Sequence, residues 1–268
     1  MKWTAVEVDR TTSDGPDFPS KSRELGTVDG LRLVATGVEL VASRAGKVVW
    51  RHRCGANPHT AHGSADRLLV LTDSLDYHPW GHLGPALLLR LDTGDRVADL
   101  RGQRGAALDG GRFLLGLQGY DTFDTWLHDR HGTELATWRT AGHYVPFADT
   151  DDVVVVECGN RSPSVVRLLP GGEVERGHPL REQLVAEPVV LGDGTIVVLD
   201  AGVLLAIGRD LRAVVLAEVL DVEDTSRFHG RLRLDDGVLK VTVVERWRGT
   251  PLIYSTHHVR YALEPDFG

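Results

Sequence analysis

The chain has 268 residues, 42% of them hydrophobic and 25% charged, with 38 acidic against 30 basic residues and a formal net charge of -8. This balance supports a sizeable globular core and excludes the basic stripe of a nucleic-acid binder. No segment approaches the roughly 18 uninterrupted apolar residues of a membrane helix, so neither nucleic acid nor membrane is expected as a partner. Only four residues are lysine; the arginine bias, with abundant Ala, Val, Asp and Gly, suggests a GC-rich bacterial genome. The first residues, MKWTAVEVDR, show no apolar leader segment, and a cytoplasmic protein is expected. In that compartment Cys54 and Cys158 read as reduced, buried thiols rather than a disulfide.

The first predicted element is WTAVEV (residues 3–8), whose period-2 alternation is that of a strand. From about residue 24 a single unit then recurs six times: a short apolar segment, an Asp/Gly turn, an apolar strand, a variable loop, another strand, a tight turn and a last strand. The first turns fall at Asp29-Gly30, Ala65-Asp66, Asp109-Gly110-Gly111, Asp149 to Asp152, Gly192-Asp193-Gly194 and Asp235-Asp236-Gly237. They lie about 40 residues apart, the length of a four-stranded propeller blade. The strands after them, such as RLLVLTD, DVVVVEC and TIVVLD, are continuous apolar runs that fit burial on both faces. Second turns follow at residues 44–46, 92–94, 130–132, 170–172 and 208–210, where Gly and Asp suit tight hairpins.

The sixth unit lacks its last strand after HHVRYALEP, and residues 3–8 are the obvious donor. The expected fold is therefore all-β: one six-bladed β-propeller of four-stranded antiparallel blades, closed by the N-terminal strand. The blades span about 24–54, 59–101, 105–140, 144–180, 185–220 and 228–264 with 3–8.

Segments such as VELVASRAGKVVW and WLHDRHGTELATW resemble the PQQ-like, quinoprotein-type propeller repeat, in which a turn leads into a strand ending in Trp. Trp50 and Trp138 occupy that position; the second, fourth and fifth copies have lost it. The resemblance covers roughly residues 29–263 and implies architecture alone, because no quinone-binding set is visible.

The topology puts both turn classes on one face and the longer connections on the other. Those longer connections are the middle loops 73–85, 119–124, 158–164 and 246–256 and the crossings 11–23, 53–63, 139–146 and 223–230. Loops displayed on a rigid scaffold commonly carry function, so a pocket is expected on that face at the central channel. Carboxylates end the second strands (Asp73, Glu157, Asp200, Glu245), and polar residues open the innermost ones (His59 or His62, His143, Glu187, His229).

The main functional reading is acid–base chemistry on a small molecule, of lyase, cyclase, isomerase or hydrolase type. It uses His143, His229, Glu157, Glu245, Asp73, His78 and Tyr77. Trp80, Tyr120, Tyr144, Trp247, Arg161 and Arg246 would contact the substrate. No cofactor is demanded; one divalent metal on His59, His62, His143, His229 and Glu187 is the candidate. Cys158 as a nucleophile is a further reading, though nothing beside it lowers its pKa. The alternative class is a non-catalytic platform for a protein partner, anchored by Trp80, Arg161 and Trp247.

Overall fold

The computed structural model describes residues 2–14, 22–73, 77–78, 81–82, 85–118, 123–147, 150–159, 162–181, 186–221, 228–247 and 253–266. They form six four-stranded antiparallel sheets, the blades of a six-bladed β-propeller. The first strand, β1 (Lys2–Asp14), belongs to the last blade. Blade 1 follows as β2 (Ser22–Val28), β3 (Leu31–Thr36), β4 (Glu39–Arg44) and β5 (Lys47–Arg53). Blade 2 is β6 (Pro58–Ser64), β7 (Arg67–Thr72), then the small hairpin β8 (Tyr77–His78) and β9 (Gly81–His82) outside the sheet, then β10 (Pro85–Arg90) and β11 (Arg96–Arg101). Blade 3 is β12 (Arg104–Leu108), β13 (Arg112–Gln118), β14 (Phe123–His128) and β15 (Glu134–Trp138). Blade 4 is β16 (Gly142–Pro146), β17 (Val153–Glu157), β18 (Ser164–Leu168) and β19 (Val174–Pro179). Blade 5 is β20 (Val189–Val190), β21 (Ile196–Asp200), β22 (Val203–Ile207) and β23 (Ala213–Glu218). Blade 6 is β24 (Phe228–Asp235), β25 (Val238–Trp247), β26 (Ile253–Asp266) and β1.

The N-terminal strand does complete the last blade, and it is longer than the six residues read from the sequence. β1 pairs with β26 from Lys2 opposite Asp266 to Asp14 opposite Ser255, with one bulge between Glu7 and Asp9. Residues 11–14, expected in a loop, are strand because β26 runs on far enough to pair with them.

The chain divides into two compact units. Unit 1 comprises residues 1–18, 156–167 and 175–268, and unit 2 residues 19–155 and 168–174. In unit 2 the second strand of blade 2 is sandwiched. Leu68 and Val70 pack toward blade 1, with Leu31, Leu33, Leu40 and Trp50. The alternate residues Leu69 and Leu71 pack toward blade 3, with Phe113 and Leu115. That is why β7 is apolar at nearly every position, since each of its faces meets a neighbouring blade. In unit 1, Val197, Leu199 and Leu204 of blade 5 meet Leu239, Val241, Val243 and Tyr261 of blade 6 in the same manner.

Blades are also tied by single polar contacts at their outer strands. The buried indole of Trp50 donates to the carbonyl of Leu91 in the next blade at 2.9 Å, and that of Trp138 donates to Leu169 at 2.7 Å. Gly94 lies against the Trp50 ring with φ +72, and a Cβ there would fall 2.7 Å from indole carbons. The Trp position of the quinoprotein-like repeat therefore has a physical task, fastening one blade to the hairpin of the next. In unit 1, Trp3 does a similar job by donating to Asp193 of blade 5 at 2.9 Å.

Trp50→Phe keeps the apolar contact and leaves the buried Leu91 carbonyl unpaired. It should cost about 1–3 kcal/mol, read as a lower urea midpoint with an unchanged slope.

Candidate functional site

We call the end at which the first strand of each blade begins the upper end. In unit 2 the first strands β2, β6, β12 and β16 lie side by side. The neighbours approach closely: a Cβ on Gly63 of β6 would strike Val28 of β2, and one on Gly105 of β12 would fall 2.9 Å from Leu69. Each strand presents a basic or imidazole side chain at or beside its upper end: Arg23, His59, Arg104 and His143.

His59 is placed by a local irregularity. The ladder between β6 and β7 pairs Pro58 with Thr72 and then Thr60 with Leu71, so His59 is the bulged residue. A bulge frees one residue from the ladder and re-aims its side chain. The His59 Nδ1 lies 2.9 Å from Thr60 Oγ1, and Nε2 lies 3.9 Å from the carboxylate of Asp73 at the end of β7. The imidazole is 22% exposed and the Asp73 side chain 63% exposed, so the pair opens to solvent on the carboxylate side. Burial lowers the His59 pKa; Asp73 opposes this, and the Arg23 and Arg104 guanidiniums add to it. His62, one turn of the ladder below, is driven down to about 4 by burial, with His59 contributing. Its Nε2 is buried without a hydrogen-bond partner among the described residues.

Arg104 and His143 meet from adjacent blades, with one guanidinium nitrogen 2.9 and 2.8 Å from the two ring nitrogens. A neutral imidazole can accept from Arg104; an imidazolium has no lone pair with which to do so. Tyr144, next to His143, is half-buried and turned aside. Its hydroxyl lies 2.8 Å from Thr125 Oγ1, and its ring end occupies the space that a Cβ on Gly116 would need.

The other expected residues have the following surroundings. Glu157 is expected from the sequence as an acid–base residue at the end of β17. It is 1% exposed and turned toward the outer half of its blade. It accepts from the Ser164 amide at 3.0 Å, the Ser164 hydroxyl at 3.1 Å and Arg176 at 2.9 and 3.2 Å. Asp200 is likewise buried, accepting from the Arg181 amide at 2.9 and 3.0 Å. A carboxylate at the end of a buried strand is drawn to such donors because leaving it unpaired is costly. Glu245 lies 3.6 Å from His257 Nε2, and His257 Nδ1 lies 3.1 Å from Thr12 Oγ1, on one face of blade 6. Glu187 is exposed ahead of β20. Cys158, weighed as a nucleophile, is fully buried and donates to the Val156 carbonyl at 3.5 Å. Both cysteines are free, and burial raises the Cys54 thiol to about 11.

Trp80, Tyr120 and Arg161 lie outside the described residues, as do the side chains of Tyr77, His78, His229, Arg246 and Trp247. The backbone of His229 pairs with Val244, and that of Tyr77 with His82.

Among the described residues no three His, Cys, Asp or Glu side chains converge on one point. The Arg23 and Arg104 guanidiniums act on His59, and their charge opposes a cation there.

Sequence reasoning passed over Arg23 and Arg104. The signal was present in the repeat, because they hold in blades 1 and 3 the position that His59 and His143 hold in blades 2 and 4.

No family model matches the chain, and no curated protein matches it by sequence. Solved structures do. The extracellular domain of a putative one-component system from B. thetaiotaomicron aligns with TM-score 0.53 and 8% identity, over 85% of this chain and 35% of that one. The quinohemoprotein alcohol dehydrogenase of Comamonas testosteroni aligns with TM-score 0.50 and 10% identity, over 84% and 54%. A gluconolactonase of Xanthomonas campestris aligns with TM-score 0.46 and 9% identity, over 94% and 100%. The chain thus spans about a third and about half of the first two. These are likenesses of fold, and the second agrees with the PQQ-like scaffold seen in the repeat.

The depressed His62 has a consequence for acid stability. The unfolded imidazole takes its proton near the ordinary 6.5 and the folded one near 4, so the unfolded chain binds the extra proton between those values. The His62 contribution is complete above about 6.5 and is lost as pH falls toward 4. Between pH 7 and 4.5, His62→Gln should lose about 2–3 kcal/mol less unfolding free energy than the native chain, measured by urea denaturation at each pH.

Proposed function

We propose that the upper end of the first strands in unit 2 is a small-molecule site in which His59 accepts a proton from the bound substrate. The observation that carries this reading is the bulged, part-buried His59 beside Asp73, with Arg104 and His143 next to it from blades 3 and 4. Burial and the two guanidiniums keep the imidazole neutral at physiological pH, the form a general base requires. Once the proton has moved, the Asp73 carboxylate stabilises the imidazolium. Asp73 thus supports the base and does not itself take the proton.

Proton removal from water serves a hydrolase; removal from carbon or hydroxyl serves a lyase, cyclase or isomerase. All four remain within the reading, and it needs no metal. The same reading takes the chain as a cytoplasmic bacterial enzyme whose partner is a small molecule. The protein-platform alternative rests on Trp80, Arg161 and the side chain of Trp247, which lie outside the described residues.

On a panel of lactones, aryl esters and 2-hydroxy acids, turnover by the native chain should fall at least 100-fold in His59→Ala and roughly tenfold in Asp73→Asn. Because the His59 pKa is lowered, the acid limb of kcat/KM should lie below pH 6.5. Turnover that survives His59→Ala would overturn the assignment, and partner binding without any turnover would favour the platform.

A further inference from the structure

We propose that the ligand of this site carries an oxyanion, a carboxylate or a phosphate, held by Arg23 and Arg104 on either side of His59. The inference rests on the reading that a small molecule binds at these strand ends, and it does not require the proton transfer.

The first support is placement. Arg23 lies beside the upper end of β2 and Arg104 opens β12, and β6 with His59 lies between these two strands. Both guanidiniums are near enough to His59 to act on its charge.

The second is the pairing of charge across the protein. Acidic residues outnumber basic ones, and arginines elsewhere commonly find a carboxylate. Arg32 pairs with Glu24, Arg51 with Glu39, Arg112 with Asp151 and Arg176 with Glu157. Among the described residues neither Arg23 nor Arg104 has a carboxylate within ion-pair distance. What Arg104 does have is the ring of His143, whose nitrogens lie 2.9 and 2.8 Å from one of its guanidinium nitrogens.

The third is donor geometry. A guanidinium presents five N–H groups in a planar fork that matches two oxygens of a carboxylate or phosphate. The contact with His143 uses one nitrogen of Arg104 and leaves the others for a ligand. Two guanidiniums act on His59 against the single carboxylate of Asp73, which leaves net positive charge among these groups in a protein of net charge -8. Such a set concentrates small anions by field as well as by contact. An oxyanion between the arginines would also offset their effect on His59, so that binding raises the affinity of that imidazole for a proton. The groups that bear on His59 are Asp73, Arg23, Arg104 and His62.

The test uses malonate and inorganic phosphate as probes on the full chain, by isothermal titration calorimetry and by NMR of the histidine ring protons. Native protein should bind one probe molecule saturably. Affinity should fall at least tenfold in Arg23→Met and in Arg104→Met and vanish in the double variant. Arg104→Lys, which keeps the charge without the fork, should lie between native and Arg104→Met and guards against loss through misfolding. The His59 ring signal should titrate at higher pH with probe bound than without. Malonate binding alone would assign a carboxylate, and phosphate binding alone a phosphoryl group. The proposal is overturned if neither probe saturates the native chain, or if the double variant binds as the native chain does. The two readings fail separately: anion binding with turnover unchanged in His59→Ala defeats the acid–base function alone. Turnover dependent on His59 without anion binding defeats this inference alone.

Discussion

Burial of the second strands on both faces is the constraint from which the rest of this protein follows. β7, β17 and β21 are buried along their whole length, so almost none of their interior positions can hold a polar side chain. Such strands can keep polar chemistry at their ends, where the backbone leaves the ladder. The three acids Asp73, Glu157 and Asp200 all stand there. The site is therefore built from strand termini, and its residues come from several blades because no one strand can supply more than one or two.

Equivalent positions then meet different fates according to the donors within reach. Glu157 finds Ser164 and Arg176 and becomes an internal clamp across the outer half of its blade. Asp200 closes on a backbone amide. Asp73 has neither partner and stays largely exposed, within reach of His59. The buried acids have their oxygens occupied by donors within their blades, whereas Asp73 stays largely exposed beside an imidazole. The difference lies in the neighbours, since all three acids end comparable apolar strands.

The upper ends of β2, β6, β12 and β16 combine positive charge with imidazole in an otherwise acidic chain. The two guanidiniums work against protonation of His59 and at the same time favour a bound anion. On the two proposals above, proton acceptance and anion binding would be coupled through one electrostatic field, because an anion bound there would offset the guanidiniums acting on His59.

Much of the architecture was legible in the chain itself. The Asp/Gly turns, the doubly buried strands, the Trp50 and Trp138 positions and the transfer of the N-terminal strand to the last blade all follow from local pattern. Period, turn chemistry and a missing strand are properties of consecutive residues. The extent of β1 was not legible, because it depends on how far β26 continues beside it. Nor was the sorting of the polar residues: Glu157 reads like Asp73, and Arg23 and Arg104 read like any other arginines on a strand. The sequence by itself determined the blades and the strand ends on which chemistry could stand. Only the tertiary structure decided which charged groups are satisfied and which stay open to solvent, because that depends on the side chains that folding brings within reach.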